Sequence, residues 1–429
     1  MLSAADFQIE ELGERRVPSP LAIRFVPEGA RIPLDAELLP GKEFRPDLAF
    51  ERAGPRERLY FDPAQVAAAV VTCGGICPGL NNVIRAIVMQ AVHGYGVRTV
   101  WGLRYGYRGL EEDSGHPPLL LTPQVVSEIH EQGGTILGTS RGPGDPAAMV
   151  RFLAKRNIGI LFTIGGDGTQ RGALAIYQEA RRSGYPLAVV GIPKTIDNDI
   201  PYVWTTFGFS TAIEQARGVI DCAHNEARGV RHGVGLVKLM GREAGFIAAA
   251  ATLASGEVNF ALIPEVPFAL DGEDGLLEAL RRRLLERGHA VVVVAEGAGQ
   301  DLFQGQDFGR DLSGNAKLGD IGALLVERIR AYSRSTGFPI ELKYFDPSYY
   351  IRSAPANTHD AIFCDQLARN AVHAAMAGKT GLIIGLWYNM MTHVPIALAG
   401  SAKKRVSTRG ELWQAVLKAT GQPARLGAP

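Results

Sequence analysis

Short, continuously apolar runs alternate with longer amphipathic stretches through most of the chain. The runs fall at 67–72, 97–103, 158–164, 187–192, 234–239, 259–263 and 290–295. A strand apolar at consecutive positions is buried on both faces, and such strands separated by helical segments mark a parallel α/β sheet. The runs are too numerous for one sheet of usual width, so the pattern predicts two α/β domains. "EDGLLEALRRRLLERG" (273–288) carries its leucines at helical spacing and predicts an amphipathic helix with its arginines in solvent. Residues 1–67, rich in Pro, Glu and Arg, show neither period. They read as an N-terminal extension that packs on the main body or mediates contacts. There is no internal repeat and no low-complexity segment.

Charge and cysteine content narrow the function classes. The 429 residues hold 45 Lys and Arg against 44 Asp and Glu, a formal net charge of +1. No overall basic field argues for nucleic acid or an anionic membrane, so neither is an expected partner. The most apolar stretches, such as "AVVVVAEGAG", are too short to span a bilayer. "MLSAADFQIEELGERR" has no apolar core of signal-peptide length. Cys73, Cys77, Cys222 and Cys364 are scattered, with no Cys-x-x-Cys pair and no histidine at zinc spacing. The expectation is a reduced, cytoplasmic protein. A substrate carrying phosphate would need local basic residues.

In parallel α/β sheets ligands bind beyond the carboxyl ends of the strands, and there this chain concentrates glycine, aspartate and arginine. In "VVTCGGICPGLNN" a strand runs into Gly74-Gly75 and a helix begins near Asn81; such a loop suits a phosphate, yet many α/β turns contain Gly-Gly. "GTSRGP" places Arg141 beside small residues, as a bidentate phosphate ligand or a surface arginine in a turn. In "TIGGDGT" Asp167 follows two glycines at a strand end. That suits a Mg²⁺ held through water and a nucleotide's phosphates; the plain alternative is an aspartate that caps the next helix. In "GIPKTIDNDI" Asp197 and Asp199, two apart on an extended segment, share a side. One then has a raised pKa or shares a cation, unless the segment is a simple Asx turn. "KLMGREAG" offers Arg242 to an anion, with Met240 reading as packing. Glu296 ends a very apolar strand, a costly place for a charge that binds nothing. "LKYFDPSYYIRS" supplies Lys343, Tyr349 and Arg352.

Taken in order, "TCGGICPGLN", "GTSRGP", "GGDGT", "PKTIDND", "MGR", "AEG" and "PSYYIRS" resemble the 6-phosphofructokinase family, over roughly residues 67–400. The variants look most like the subgroup that carries an N-terminal extension. The resemblance implies two Rossmann-like, three-layer α/β/α domains with mainly parallel sheets, plus that extension. It divides the chain into residues 1–66 (extension), 67–209 with about 351–400 (nucleotide-binding) and 210–350 with about 401–429 (sugar-phosphate-binding). It further implies transfer of a γ-phosphoryl group from ATP, with Mg²⁺, to the 1-hydroxyl of fructose 6-phosphate, in a homodimer or homotetramer. Asp197 matches the general base and Asp167 the magnesium-associated carboxylate. Gly74, Gly75, Arg141, Gly142, Gly166, Asp167, Gly168 and Thr169 match the nucleotide-phosphate loops, with Arg104 near the adenosine. Thr195, Ile196, Asp197, Asp199, Met240, Gly241, Arg242, Glu296, Lys343, Tyr349 and Arg352 match the sugar-phosphate side. Thr195, Arg242 and Lys194 join Asp197 in the catalytic set.

Two positions bear on the phosphoryl donor. Pyrophosphate-using members place a second aspartate where Gly168 stands, filling the space of a nucleotide's α-phosphate. They also carry lysine at the position of Lys194, where many ATP users have glycine. The block by a side chain is the stronger effect, so the resemblance favours ATP, with pyrophosphate or another sugar-phosphate acceptor as the alternatives. Allosteric bacterial members place an arginine where this chain has Gly233, next to Arg231 and His232, and an arginine where it has Lys343. A non-catalytic sensor would have lost Asp167 or Asp197. "GGICPGLN" lacks the G-x-G-x-x-G spacing of a dinucleotide-binding dehydrogenase.

Overall fold

The computed structural model describes residues 2–41, 43–142, 144–310 and 316–427. The chain forms two compact units. One comprises Met1–Thr195, Ile200–Gly208 and Ala354–Ala402; the other comprises Ile196–Asp199, Phe209–Ser353 and Lys403–Pro429.

The first unit is built on a nine-stranded sheet. Its central strands, in spatial order Leu382–Trp387, Ala188–Pro193, Ile158–Gly165, Ala67–Thr72 and Thr99–Leu103, are mutually parallel. Ala67, Ala69 and Val71 face one core shared with Ala173, Ile176 and Ala180 of helix Asp167–Arg182 and with helix Pro146–Lys155. The alternate residues Ala68, Val70 and Thr72 are equally buried, so helices cover the other face too. Helices Leu80–Met89 and Thr358–Met376, which pack together, supply that layer.

Antiparallel strands finish the sheet. Leu119–Leu120 closes one edge; Met390–Pro395, Ala49–Arg52 and Arg31–Pro33 follow one another to the opposite edge. Residues 1–66 therefore contribute strands to this unit, and Phe7 and Phe50 sit in its core with ring centroids 5.0 Å apart.

The second unit has a four-stranded parallel sheet in the order Phe260–Leu262, His289–Ala295, Gly233–Leu239, Glu341–Phe345. Strand alternation splits its interior into two cores. Val291, Val293, Ala295, Val237 and Leu239 pack against helices Phe209–Arg228 and Phe246–Ser255. Val292, Val294, Val234 and Leu236 pack against helices Leu276–Arg287 and Ile321–Thr336. Both units are thus three-layer α/β/α arrangements with mainly parallel sheets.

All the apolar runs read from the sequence are strands, and the predicted amphipathic helix spans Leu276–Arg287. Among the described residues no helix is long and apolar enough to cross a membrane. All four cysteines are free thiols, three of them buried.

Helix Leu276–Arg287 allows a direct test of this layering. Leu280 is fully buried and Arg282 is exposed. Leu280→Ala is expected to lower unfolding free energy by about 2–5 kcal/mol. Arg282→Ala is expected to change it by no more than about 0.5 kcal/mol. Urea denaturation of the two variants beside the parent chain checks both.

Candidate active site

In the first unit the parallel strands deliver their following loops to the same end of the sheet. After Ala67–Thr72 come Gly74 and Gly75; after Thr99–Leu103, Arg104; after Ile158–Gly165, Gly166 and Asp167; after Ala188–Pro193, Lys194 and Thr195. Gly74 takes a left-handed φ of 84°, which lets its N–H donate to the Ser140 carbonyl at 3.0 Å. Thr139 Oγ1 donates back to the Gly74 carbonyl at 2.5 Å. The Gly-Gly loop and the Gly-Thr-Ser-Arg loop are thereby laced together. A Cβ on Gly75 would lie 3.7 Å from an Arg141 guanidinium nitrogen. Arg141 and Gly142 are exposed, and Pro143 lies outside the described residues.

Lys194 is 8% exposed and turns into this cradle, where its Nζ donates to the Gly75 carbonyl at 2.7 Å. Its own N–H donates to the Gly165 carbonyl at 3.0 Å. The carbonyl of Thr195 accepts from Thr206 Oγ1 at 2.7 Å. Arg104 is half-buried, its guanidinium 5.2 Å from the centre of the Tyr105 ring.

Asp167 does not cap the helix that follows. The N-cap is Gly166, and Asp167 is the first helical residue, with Gly168 and Thr169 behind it in the first turn. Free amides and the positive end of the helix dipole make such a turn a site for anions. Thr169 is buried, and its carbonyl accepts from Tyr107 Oη at 2.6 Å. Gly168 differs from its neighbours. It is exposed, has no left-handed φ, and a Cβ there would meet nothing nearer than an Arg171 guanidinium nitrogen at 3.9 Å. Nothing in the protein requires glycine at this position. Among the described residues no three or more His, Cys, Asp or Glu gather to hold a metal ion. Asp167 alone suits Mg²⁺, which is usually held by one or two carboxylates together with substrate phosphates and water.

The second unit carries the other cluster. The segment is not the extended one expected: residues 196 and 197 form a turn, and Asn198 after them adopts a left-handed φ of 56°. Asp197 Oδ2 accepts from the Arg242 N–H at 3.3 Å, and its Oδ1 is shut off from solvent. Burial, then the like charges of Asp199 and Glu296, push the Asp197 carboxyl up to about 7; the Arg242 N–H and the Arg352 guanidinium oppose the rise. Arg242 reaches this position through Gly241, whose φ of 125° and 2.7 Å approach of a notional Cβ to the Ala244 carbonyl admit only glycine. The N–H of Gly297 donates to the Gly241 carbonyl at 3.0 Å and that of Glu296 to the Leu239 carbonyl at 2.8 Å, holding Glu296 alongside. The Arg242 guanidinium donates to the Ala316 carbonyl.

Other expected residues lie less centrally. Met240 is fully buried in the core, as packing requires, and Ile196 packs against the same core. Tyr349 is 81% exposed, with the Arg352 guanidinium 6.0 Å from its ring centre. Lys343 is exposed on the edge strand Glu341–Phe345 and pairs with Gly235, four residues short of the end of Gly233–Leu239. At about 3.3 Å per residue that sets it well back from Arg242.

Two residues escaped the sequence reading. Lys403 Nζ donates to Asp199 Oδ2 at 2.6 Å, and Lys404 Nζ donates to Asn198 Oδ1 at 2.9 Å. Of the two expectations for the close carboxylates, the raised pKa falls on Asp197, while the Lys403 ammonium pairs with Asp199. Nothing in the short run Lys-Lys-Arg at 403–405 ties it to a loop two hundred positions earlier.

Comparison with known proteins identifies the family. The family model described as phosphofructokinase matches residues 67–375. The chain is 46% identical to an ATP-dependent 6-phosphofructokinase of Borreliella burgdorferi, covering 97% of each. It is 46% identical to one of Amycolatopsis methanolica, over 99% of this chain and 96% of the relative. It is 48% identical to one of Trypanosoma cruzi, over 87% of this chain and 77% of the relative. Among solved structures, a pyrophosphate-dependent phosphofructokinase from Marinobacter aquaeolei superposes with a TM-score of 0.67 at 22% identity, covering 85% of this chain and 92% of that one. That likeness shows the fold. With the family's motifs in order and near-full-length similarity to its members, this chain belongs to the phosphofructokinase family.

Proposed function

We infer that this chain is an ATP-dependent 6-phosphofructokinase, which transfers the γ-phosphoryl group of ATP to the 1-hydroxyl of fructose 6-phosphate, giving fructose 1,6-bisphosphate and ADP in glycolysis. The observation that carries the choice of donor is Gly168. A glycine within a helix costs about 1 kcal/mol relative to alanine. Here it is kept where the protein has room for a side chain. The space it leaves lies at the mouth of an anion-binding helix start, beside Asp167. Room for a nucleotide's inner phosphate explains that glycine; a pyrophosphate site has no use for it. Lys194, bonded to the Gly75 carbonyl, stiffens the phosphate loop and is compatible with either donor.

In this reading Asp197 is the general base that accepts the proton of the attacking hydroxyl. A base with an affinity near neutrality combines availability with driving force. The Arg242 N–H orients its carboxylate. Arg352, Tyr349 and Glu296 belong to the sugar-phosphate side, and Gly74, Gly75, Arg141, Gly142, Gly166 and Thr169 to the donor phosphates, with Arg104 towards the adenosine. Asp167 would hold Mg²⁺, which when bound offsets phosphate charge. Phosphoryl transfer asks a protein mainly for positioning and charge neutralisation, and these groups supply both. The family resemblance also supports a homodimer or homotetramer, which light scattering on the purified protein distinguishes from a monomer.

Two measurements test the reading. In a coupled assay with fructose 6-phosphate the protein is expected to turn over with ATP and not with pyrophosphate. Gly168→Asp sets a like charge against the nucleotide and is expected to lower ATP turnover by about 100-fold or more. Its fold should stand, since an acidic side chain suits a helix start. Gly168→Ala should gain up to about 1 kcal/mol of stability. Unimpaired ATP turnover by Gly168→Asp would refute this account.

The second is pH dependence. Protonated Asp197 cannot accept a proton, so kcat is expected to fall about tenfold per unit as pH drops below about 7. Asp197→Asn should lose about 10²–10⁴-fold in kcat. The stability sign is the reverse of the usual carboxylate case. Between the ordinary aspartate range and about 7 the folded state holds a proton that the unfolded chain has released, so the parent loses stability as pH rises through that window. Asp197→Asn should therefore be more stable than the parent at pH 8 and lose that advantage in acid, as thermal melts at both pH values would record.

A further inference from the structure

Four consecutive residues at 403–406, outside the family-matched region, bind the two loops that meet at Asp197 and Arg242. Lys403 Nζ donates to Asp199 Oδ2 at 2.6 Å. Lys404 donates twice, from Nζ to Asn198 Oδ1 at 2.9 Å and from its N–H to the Asp199 carbonyl at 2.9 Å. Arg405 lies 3.8 Å from the Glu243 carboxylate. The Val406 N–H donates to Glu265 Oε1 at 2.7 Å, and the same oxygen accepts from the Gly245 N–H at 3.0 Å. The Lys404 ammonium also lies 5.3 Å from the ring centre of Phe246, the first residue of the helix that follows Arg242.

We propose that Lys403 and Lys404 are positioning residues: the 403–406 strap pins the left-handed turn at 197–199 against the Met-Gly-Arg loop and so presents Asp197 to its substrate. The proposal rests on the reading of Asp197 as the base. A non-glycine residue in left-handed geometry costs about 1 kcal/mol or more and persists only where its surroundings impose it. Here the imposed residue is Asn198, only 6% exposed, and its side chain and the next carbonyl are both held by Lys404. Lys404 is itself drawn out of water, which lowers its ammonium to about 8, against the attraction of Asp199. A lysine placed there for solubility alone would not be half-buried with its ammonium on another loop's side chain.

The strap has an electrostatic consequence. The groups that act on Asp197 include the charges of Asp199 and Glu296, which hold its proton on, and the Arg352 guanidinium with the Arg242 N–H, which draw it off. Lys403 and Lys404 face Asp199, and Lys403 is ion-paired with it. Removing the Lys403 charge leaves Asp199 less compensated, so Asp197 should hold its proton to higher pH.

The experiment is the pH profile of kcat, with KM for each substrate, for Lys403→Gln, Lys403→Arg, the double variant Asp199→Asn/Lys403→Gln, and Asp197→Asn. Lys403→Gln is expected to move the acidic limb up by about 0.5–1 pH unit, lowering kcat at pH 6 by about three- to tenfold with KM for ATP unchanged. Lys403→Arg should keep the parental limb. The double variant, with neither charge present, should place the limb below the parental position, and it decides the matter if the single variant does not fold. A parental limb in Lys403→Gln, or in the double variant, overturns the proposal while an inactive Asp197→Asn leaves the base in place. Full turnover by Asp197→Asn instead removes the base and the proposal with it.

Discussion

A carboxyl group kept out of water beside two others will hold its proton unless its neighbours offset the field. That constraint organises the second unit around Asp197. Asp199 and Glu296 crowd it, the Arg242 N–H and Arg352 counter them, and Lys403 is paired with Asp199. Two loops carry these groups: Gly241 takes a backbone angle that only glycine adopts readily, and left-handed Asn198 has its side chain bonded by Lys404. The sheet below contributes rigidity, since Gly233–Leu239 and His289–Ala295 are buried on both faces and end together, at Leu239 opposite Ala295. Loops leaving strands so tightly registered have little freedom to drift.

The first unit follows different physics. Its polar equipment consists of amides, small residues and cations arrayed on loops, and its one candidate metal carboxylate is half-buried at a helix start. Phosphates need many weak donors in a wide, wet cleft, whereas a proton acceptor needs few neighbours in a dry one. The solved pyrophosphate-dependent relative shares the fold, so the fold alone does not select the donor. On the function proposed above, selection would fall to a single side chain's worth of space at Gly168.

Much of this was legible in the sequence because both sheets have interiors closed on two faces. A doubly buried strand is an unbroken apolar run, and runs such as "AVVVVA" need no periodicity to be seen. Most of what escaped lacks that signature, although Leu382–Trp387 carries it. Glu341–Phe345 is an edge strand with mostly exposed residues, so it shows no apolar run. The hairpin Leu382–Trp387/Met390–Pro395 turns at Tyr388-Asn389, both with positive φ, where the customary Asn-Gly or Asp-Gly is missing. The turn before Asp199 read as extended because no neighbouring residue in the sequence marks Asn198 as left-handed; the Lys404 that bonds its side chain lies far along the chain. Lys403 and Lys404 themselves look like ordinary surface charge until folding brings them to Asp199 and Asn198.

The antiparallel additions to the nine-stranded sheet carry a consequence of their own. One border ends in the two-residue strand Leu119–Leu120, the other in the three-residue strand Arg31–Pro33, whose last residue has no N–H to donate. Borders so brief give a stray peptide little to zip onto. Without residues 31–52, the six-residue Met390–Pro395 would itself become the rim, offering a self-templating surface for aggregation. The poorly patterned beginning of the chain thus covers a rim that would otherwise be open to strand pairing.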